Sequence, residues 1–162
     1  DADPVKGIIF AGRVVEDFKL TTGTFVHVGS LRTDTIAAAT PVVHDALVAG
    51  QDRAFIGLLA WPNLHACRQL VGNPDLSFEQ AVKHPEVIAC FRRGLEAHNR
   101  ECEGASSRII ARAMLMVEPP SIDGNELTDK GYINQRAGLE RRAGLVERLY
   151  ADRPDQDVIV LR

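Results

Sequence analysis

The chain has 162 residues, of which 45% are hydrophobic and 25% charged, as expected for a soluble single-domain protein. A formal net charge of -3 shows no excess of basic residues of the kind that binds nucleic acid. No apolar run reaches the length of a membrane span. We therefore expect neither a nucleic-acid nor a membrane partner, and a reducing, cytoplasmic location for its three cysteines, which form no CxxC pair.

The N-terminal part of the chain predicts short strands. It begins Asp1-Ala-Asp-Pro4 without a methionine, which favours a fragment of a longer protein. Residues 8–10 predict one strand. The apolar runs 14–20 and 25–28 flank a turn containing Gly23, and together they predict a β-hairpin.

A short helix and a second hairpin are predicted next. The alanine-rich run 31–39 predicts a helix, which Pro41 would end. The apolar residues of run 42–49 predict a buried strand, run 55–61 is almost continuously apolar, and a polar turn separates the two. We interpret them as two antiparallel strands at the centre of a small sheet.

Segment 63–103 carries the signals of helix starts. Asn63 is a predicted N-cap, and Ser77 with Gln80 has the spacing of a capping box. Pro85 fits the first turn of a longer helix. We interpret the segment as a helical addition to a smaller domain.

The rest of the chain completes an α+β pattern. Residues 109–117 predict a strand, the pattern is helical from Tyr132 onwards, and residues 158–161 predict an edge strand. The predicted fold class is α+β, with a small central β-sheet, β-hairpins and flanking helices.

Lys130 is the first candidate for chemistry. It precedes Gly131 at the junction between a polar run and a helical segment. Glycine lets backbone approach a ligand closely, and a helix start adds a positive field, so such a lysine can face an anion. From spacing alone, an ordinary solvated lysine is the commoner interpretation.

Other candidate sites have weaker signals. No two of the five histidines have the i, i+4 spacing of a helical metal pair, so we predict no metal site. His27 and His44 fall in predicted strands, where a hydrogen-bonded structural histidine is expected. The run Gly12-Arg13 lacks a GxGxxG or GxxxxGK[ST] pattern and by itself fits a charged hairpin.

Two motifs resemble those of the acyl-adenylate-forming superfamily, which includes acyl-CoA synthetases, peptide-synthetase adenylation domains and firefly luciferase. Gly12-Arg-Val-Val-Glu-Asp-Phe-Lys19 followed by Gly23 resembles its hinge motif. Leu127-Thr-Asp-Lys-Gly-Tyr-Ile-Asn-Gln-Arg136 resembles its C-terminal catalytic-lysine motif, and with Glu118-Pro-Pro-Ser-Ile122 it is most similar to feruloyl-CoA synthetases. The resemblance spans nearly the whole chain and implies the superfamily's C-terminal domain.

The resemblance implies a two-step reaction. A small aromatic carboxylic acid such as ferulate would react with ATP to give an acyl-adenylate, and the thiol of CoA would then displace AMP. Nucleotide, acid and most Mg²⁺ contacts would belong to an N-terminal domain of the same enzyme. Residues 1–162 would form one mobile domain, with a hinge near 13–19, and would be inactive alone.

The resemblance also implies a role for each motif residue. The implied site residues are the catalytic Lys130, the nucleotide-binding Arg13, the hinge residues Val15, Glu16 and Asp17, and the CoA-side loop residues Thr22 and Gly23.

Two other function classes stay open. One is a free-standing interaction or regulatory domain without a catalytic role, because the chain contains no nucleotide pocket motif. The other is a small thiol enzyme that uses Cys67, Cys90 or Cys102, although no local signature supports it.

Overall fold

The computed structural model describes residues 16–128 and 130–161. Within these ranges strands and helices form an α+β arrangement, which confirms the predicted fold class. In chain order the elements are β1 (Phe18–Lys19), β2 (Phe25–Val26), α1 (Val28–Ala38), β3 (Val43–Ala49), β4 (Ile56–Pro62), α2 (Leu64–Val71), α3 (Phe78–Lys83), α4 (Pro85–Glu101), β5 (Ile110–Leu115), α5 (Gln135–Arg141), α6 (Ala143–Leu149) and β6 (Ile159–Val160).

The described strands form two sheets. β1 and β2 are an antiparallel pair, and β3 to β6 form a four-stranded sheet in the order β3-β4-β5-β6. β3 runs antiparallel to β4, with Leu47 opposite Leu59, whereas β4 and β5 are parallel, with Leu58 opposite Ala113. β6 pairs antiparallel with β5, so the predicted edge strand is confirmed.

The four-stranded sheet is covered on both faces. Neighbouring strand residues point to opposite faces. Val48 and Leu58 accordingly belong to the larger, main core, which is shared with α1 to α4. Leu47 and Leu59 belong to a second core, which is shared with α5 and α6. Burial on both faces explains why β4, whose seven residues are all buried, is continuously apolar in sequence, whereas β3 carries the exposed His44 near its start.

The helices of segment 63–103 belong to the main core. They connect β4 to the parallel β5, and parallel neighbours need a long crossover of this kind. Asn63 caps α2, and Ser77 with Gln80 forms the predicted capping box of α3. Phe91 and Leu95 of α4 are completely buried. The crossover is therefore an integral layer of the domain.

Several local predictions need correction. Val28, predicted in a strand, is the first residue of α1, and His27 lies just before that helix. The pattern from Tyr132 is helical only from Gln135, because Ile133 forms a bridge with Leu127 instead. The strand predicted at residues 8–10 lies outside the described ranges. No helix within those ranges combines the length and apolar character that crossing a membrane requires.

Candidate functional site

Lys130 lies at the tip of a tight loop. The N–H of Thr128 donates to the carbonyl of Tyr132 at 2.8 Å, and the N–H of Gly131 donates back to the carbonyl of Thr128 at 2.9 Å. Gly131 has φ +82°, a left-handed conformation that favours glycine. Both Lys130 and Tyr132 are exposed. The loop therefore presents the ammonium group to the outside of the domain.

Backbone pairing fixes the base of this loop. Leu127 forms an antiparallel bridge with Ile133. One residue further from the loop tip on each side, the N–H of Asn134 donates to the carbonyl of Glu126 at 2.8 Å. The Asn134 side chain in turn accepts from the N–H of Ala137 and caps α5. The end of the loop and the start of α5 are thus one continuous structure.

Gln135 attaches the start of α5 to the sheet. β3 is an edge strand, and the N–H of its Val48 donates to Oε1 of Gln135 at 3.1 Å, while Nε2 of Gln135 donates to the Val48 carbonyl. Gln135 is buried, and Gly138, one turn later, lies directly against Leu47. The amide side chain satisfies strand groups that have no neighbouring strand.

A buried ion pair lies beneath the loop. Glu126 is completely buried and accepts from Nε and Nη2 of Arg142 at 2.7 Å and 3.1 Å. It also accepts from the N–H of Ser121 at 2.9 Å. Burial alone would raise the pKa of Glu126, but the bonds from Arg142 and Ser121 and the charges of Arg142 and Arg141 outweigh it and lower the pKa.

Sequence reasoning gave Glu126 and Arg142 no role. Glu126 lies in a polar, turn-forming run and Arg142 in a charged helical run, and both contexts indicate exposure. The two residues are distant in sequence, so no local spacing reveals their pairing.

The predicted hinge residues are only partly described. Arg13 and Val15, predicted to bind nucleotide and to form the pivot, lie outside the described residues. Glu16 is half-buried, and its Oε1 lies 3.7 Å from Nη2 of Arg32 on α1. The described end of the predicted hinge segment thus forms a charge pair with α1.

Asp17 bonds to the start of α1. Its Oδ1 accepts from the N–H of Val28 at 2.9 Å, and its Oδ2 lies 3.2 Å from Nδ1 of His27. His27 occupies the N-cap position but makes no capping bond with its own side chain. The Asp17 carboxylate therefore satisfies one of the free N–H groups of this helix end.

Thr22 and Gly23 form the exposed turn between β1 and β2. The N–H of Gly23 donates to the carbonyl of Leu20 at 2.9 Å, and Gly23 has φ +87°. The N–H of Thr21 donates to the carbonyl of Arg53 at 2.9 Å, so the hairpin is also joined to the β3–β4 turn. Thr22 and Gly23 themselves are exposed to solvent.

The predicted hinge segment and the lysine motif border one cavity. A cavity of about 330 Å³ is lined by Glu16 and Phe18 on one side and by Gln135, Arg136 and Leu139 on the other. Arg136 is exposed at this place and belongs to the same motif as Lys130. The fold therefore brings together two motifs that lie near opposite ends of the sequence.

Cys67 and Cys102 have environments that disfavour nucleophilic chemistry. Burial, with a smaller contribution from nearby Cys90, raises the pKa of Cys67 to about 11. Sγ of Cys102 lies 3.8 Å from Nε2 of His98, but that nitrogen also lies 2.8 Å from the Arg108 carbonyl. A ring nitrogen bonded to a carbonyl carries its proton and cannot act as a base towards the thiol.

Metal-binding side chains do not cluster in the part of the chain that the structure describes. In these residues no group of three or more His, Cys, Asp or Glu side chains is arranged to hold an ion. Mg²⁺ in nucleotide-dependent enzymes is usually held by one or two carboxylates together with substrate phosphates, so this observation concerns only a metal site built entirely from the described side chains.

The architecture is similar to part of three solved structures. These are the A-PCP didomain of carboxylic acid reductase from Segniliparus rugosus in complex with AMP (20% identity, TM-score 0.62), the adenylation domain of the carboxylate reductase from Mycobacterium chelonae (22%, 0.65), and the A domain of the Segniliparus rugosus enzyme in complex with AMP and a co-purified carboxylic acid (21%, 0.62). The alignments cover 83%, 86% and 85% of this chain and 17%, 20% and 20% of the respective structures. This chain thus spans about a fifth of their length, and at these identities the likeness is one of fold.

A family match adds sequence evidence. No curated protein matches the chain. The sequence model of the family described as AMP-binding enzyme C-terminal domain, however, matches residues 28–154, which is most of the chain. This match does not favour the free-standing interaction domain considered above. The chain belongs to the family of AMP-binding enzyme C-terminal domains.

Proposed function

We propose that the chain is the mobile C-terminal domain of an AMP-forming acid–CoA ligase, similar to feruloyl-CoA synthetase, and that Lys130 is its adenylation lysine. The observation that carries the proposal is the position of Lys130, at the exposed tip of a loop whose base is hydrogen-bonded to α5. The motif around it supplies the resemblance to feruloyl-CoA synthetases.

Lys130 acts in the first half-reaction. A carboxylate oxygen of the acid attacks the α-phosphorus of ATP, pyrophosphate leaves, and the acyl-adenylate forms. Negative charge builds up on the phosphate oxygens during this step, and the Lys130 ammonium group stabilises it. A fixed cation in such a position contributes a few kcal/mol, or roughly 100- to 1,000-fold in rate.

The hinge and the β1–β2 turn act in the second half-reaction. The CoA thiol attacks the carbonyl carbon of the acyl-adenylate, the thioester forms and AMP leaves. The domain rotates about the segment near residues 13–19, where Val15, Glu16 and Asp17 lie, and Arg13 contacts the AMP ribose. Thr22 and Gly23 then face the CoA side. ATP, the aromatic acid and Mg²⁺ bind mainly through the N-terminal domain, and the enzyme is cytoplasmic.

The test is a Lys130→Ala variant of the intact enzyme. We expect adenylation, measured by ATP–pyrophosphate exchange, to fall roughly 100-fold or more. Transfer from supplied acyl-adenylate to CoA should be unchanged. Lys83→Ala is the matched control, because Lys83 is an exposed lysine at the end of α3. Equal losses of both half-reactions in Lys130→Ala would instead indicate a structural role.

A second candidate is the adenylation domain of a carboxylate reductase, since the three similar structures are described as such enzymes. The two candidates differ in the second step rather than in the role of Lys130. If the intact enzyme forms an acyl-adenylate but does not transfer it to CoA, the ligase assignment fails. Adenylation by Lys130 would be unaffected by that result.

A further inference from the structure

The buried pair of Glu126 and Arg142 is unusual for its position. Glu126 is 0% exposed and Arg142 6% exposed, although both belong to polar stretches of sequence. Removing two charges from water is costly, and well-packed apolar side chains of similar volume often stabilise a fold equally well. A buried ion pair can, however, fix the relative positions of the segments that its two charged groups hydrogen-bond.

Glu126 joins three segments. Its N–H donates to the Ser121 carbonyl at 2.9 Å, its own carbonyl accepts from Asn134, and its carboxylate bonds to both Ser121 and Arg142. Every hydrogen-bonding group of this residue is therefore engaged. The polar run before the loop and the residue that ends α5 bond to the Glu126 side chain, and the start of α5 bonds to its backbone carbonyl.

Arg142 extends these contacts to the sheet. Its Nη2 donates to the Pro119 carbonyl at 3.1 Å, and its guanidinium lies 5.1 Å from the ring centroid of Trp61 on β4. Nε1 of Trp61 donates to the Glu118 carbonyl at 2.9 Å. The planar guanidinium thus has defined partners on several sides, which an ammonium group could not match.

The pair lies directly at the base of the lysine loop. Glu126 and Asn134 are hydrogen-bonded to each other, and Lys130 is midway between them in sequence. At the base of this loop Ile133 and the partly buried Leu127 pack into the second core, whereas Thr128 and residues 130–132 are exposed. The orientation of the loop tip therefore depends on that packing and on how firmly Glu126 is held.

We infer that Glu126 and Arg142 are positioning residues for Lys130, holding its loop in the orientation that adenylation requires. This inference rests on the proposed function. An error of about 1 Å in the placement of a catalytic group can cost roughly 100-fold in rate. Loss of the pair should therefore affect the half-reaction that uses Lys130 and leave the other unchanged.

The main test uses the intact enzyme with the double substitution Glu126→Leu and Arg142→Met. It removes both charges while keeping apolar volume, which avoids leaving one buried charge unpaired. We expect roughly 100-fold slower ATP–pyrophosphate exchange, mainly through kcat. The KM for ATP and the transfer from supplied acyl-adenylate to CoA should be unchanged, and thermal unfolding establishes that the variant is folded.

A second variant covers the case in which the double variant does not fold. Arg142→Lys keeps the charge opposite Glu126 but loses the paired geometry, and we expect roughly tenfold slower adenylation with unchanged acyl transfer. The matched control is Arg148→Met on α6, which removes exposed ion pairs to Asp155 and Asp157. Both half-reactions should be normal in this control.

The results separate this inference from the proposed function. If Lys130→Ala impairs adenylation but neither pair variant does, the positioning role is wrong and the proposed function stands. Equal loss of both half-reactions in a pair variant would make the pair merely structural. If Lys130→Ala adenylates normally, the proposed function itself fails, and the positioning role fails with it.

Discussion

Replacing Gly94 by alanine should destabilise the protein, although alanine is the better helix former. Gly94 lies inside the 17-residue helix α4, where it faces the end of α1. A Cβ at this position would lie 2.9 Å from the carbonyl carbon of Ala38 and 2.9 Å from Cα of Ala39, and closer still to the Ala38 oxygen. All three atoms belong to backbone, so no side-chain rotation can relieve the contact.

Two opposing effects determine the magnitude. Alanine gains about 1 kcal/mol over glycine inside a helix. Overpacking typically costs about 1–3 kcal/mol, and a contact with rigid backbone belongs at the upper end of that range. The net loss in free energy of unfolding is therefore about 2 kcal/mol. For a chain of this length it corresponds to a melting temperature lower by about 4–8 °C.

Gly144→Ala is the matched control for this prediction. Gly144 lies in α6, and a Cβ there would meet no atom within 4 Å. The same substitution should therefore raise the stability, by up to about 1 kcal/mol. Urea and thermal unfolding, followed by circular dichroism, show whether each variant is less or more stable than the parent protein. A Gly94→Ala protein as stable as the parent would refute the argument from backbone proximity.

Three further predictions concern the site and the thiols. Gln135→Ala should lower the free energy of unfolding by about 3 kcal/mol, because the N–H and the carbonyl of Val48 both lose their partner. An unchanged urea midpoint would contradict this. The lowered pKa of Glu126 means that its contribution to stability is complete above the ordinary glutamate value, about pH 4.3, and is lost as the pH falls through the lower folded-state pKa. Urea midpoints measured from pH 6 to pH 3 should show this loss, with a shallower acid dependence in Glu126→Gln. Burial, with a smaller contribution from Cys90, raises the pKa of Cys67 to about 11, so iodoacetamide at pH 8 should modify Cys67 only after unfolding, as peptide mass spectrometry would report.

Features that depend on neighbouring residues could be predicted from sequence. The caps at Asn63 and Ser77, the proline start of α4 and the β3–β4 hairpin all occur as expected. Each has its signal within a few residues of the structure that it specifies. Val28 is an exception, because a β-branched residue after β2 fits a longer strand equally well. The Asp17 carboxylate, eleven residues earlier, bonds to its N–H where α1 begins.

The same distinction between local sequence signals and long-range contacts applies to the candidate site. The sequence by itself determined the two motifs, their order and the prominence of Lys130, because these are properties of residue type and spacing. Only the tertiary structure decided that the predicted hinge segment and the lysine motif border one cavity, that Gln135 bonds to the edge of β3, and that Glu126 pairs with Arg142. Such contacts join residues that are distant in sequence, and their energies depend on burial, which no local pattern encodes.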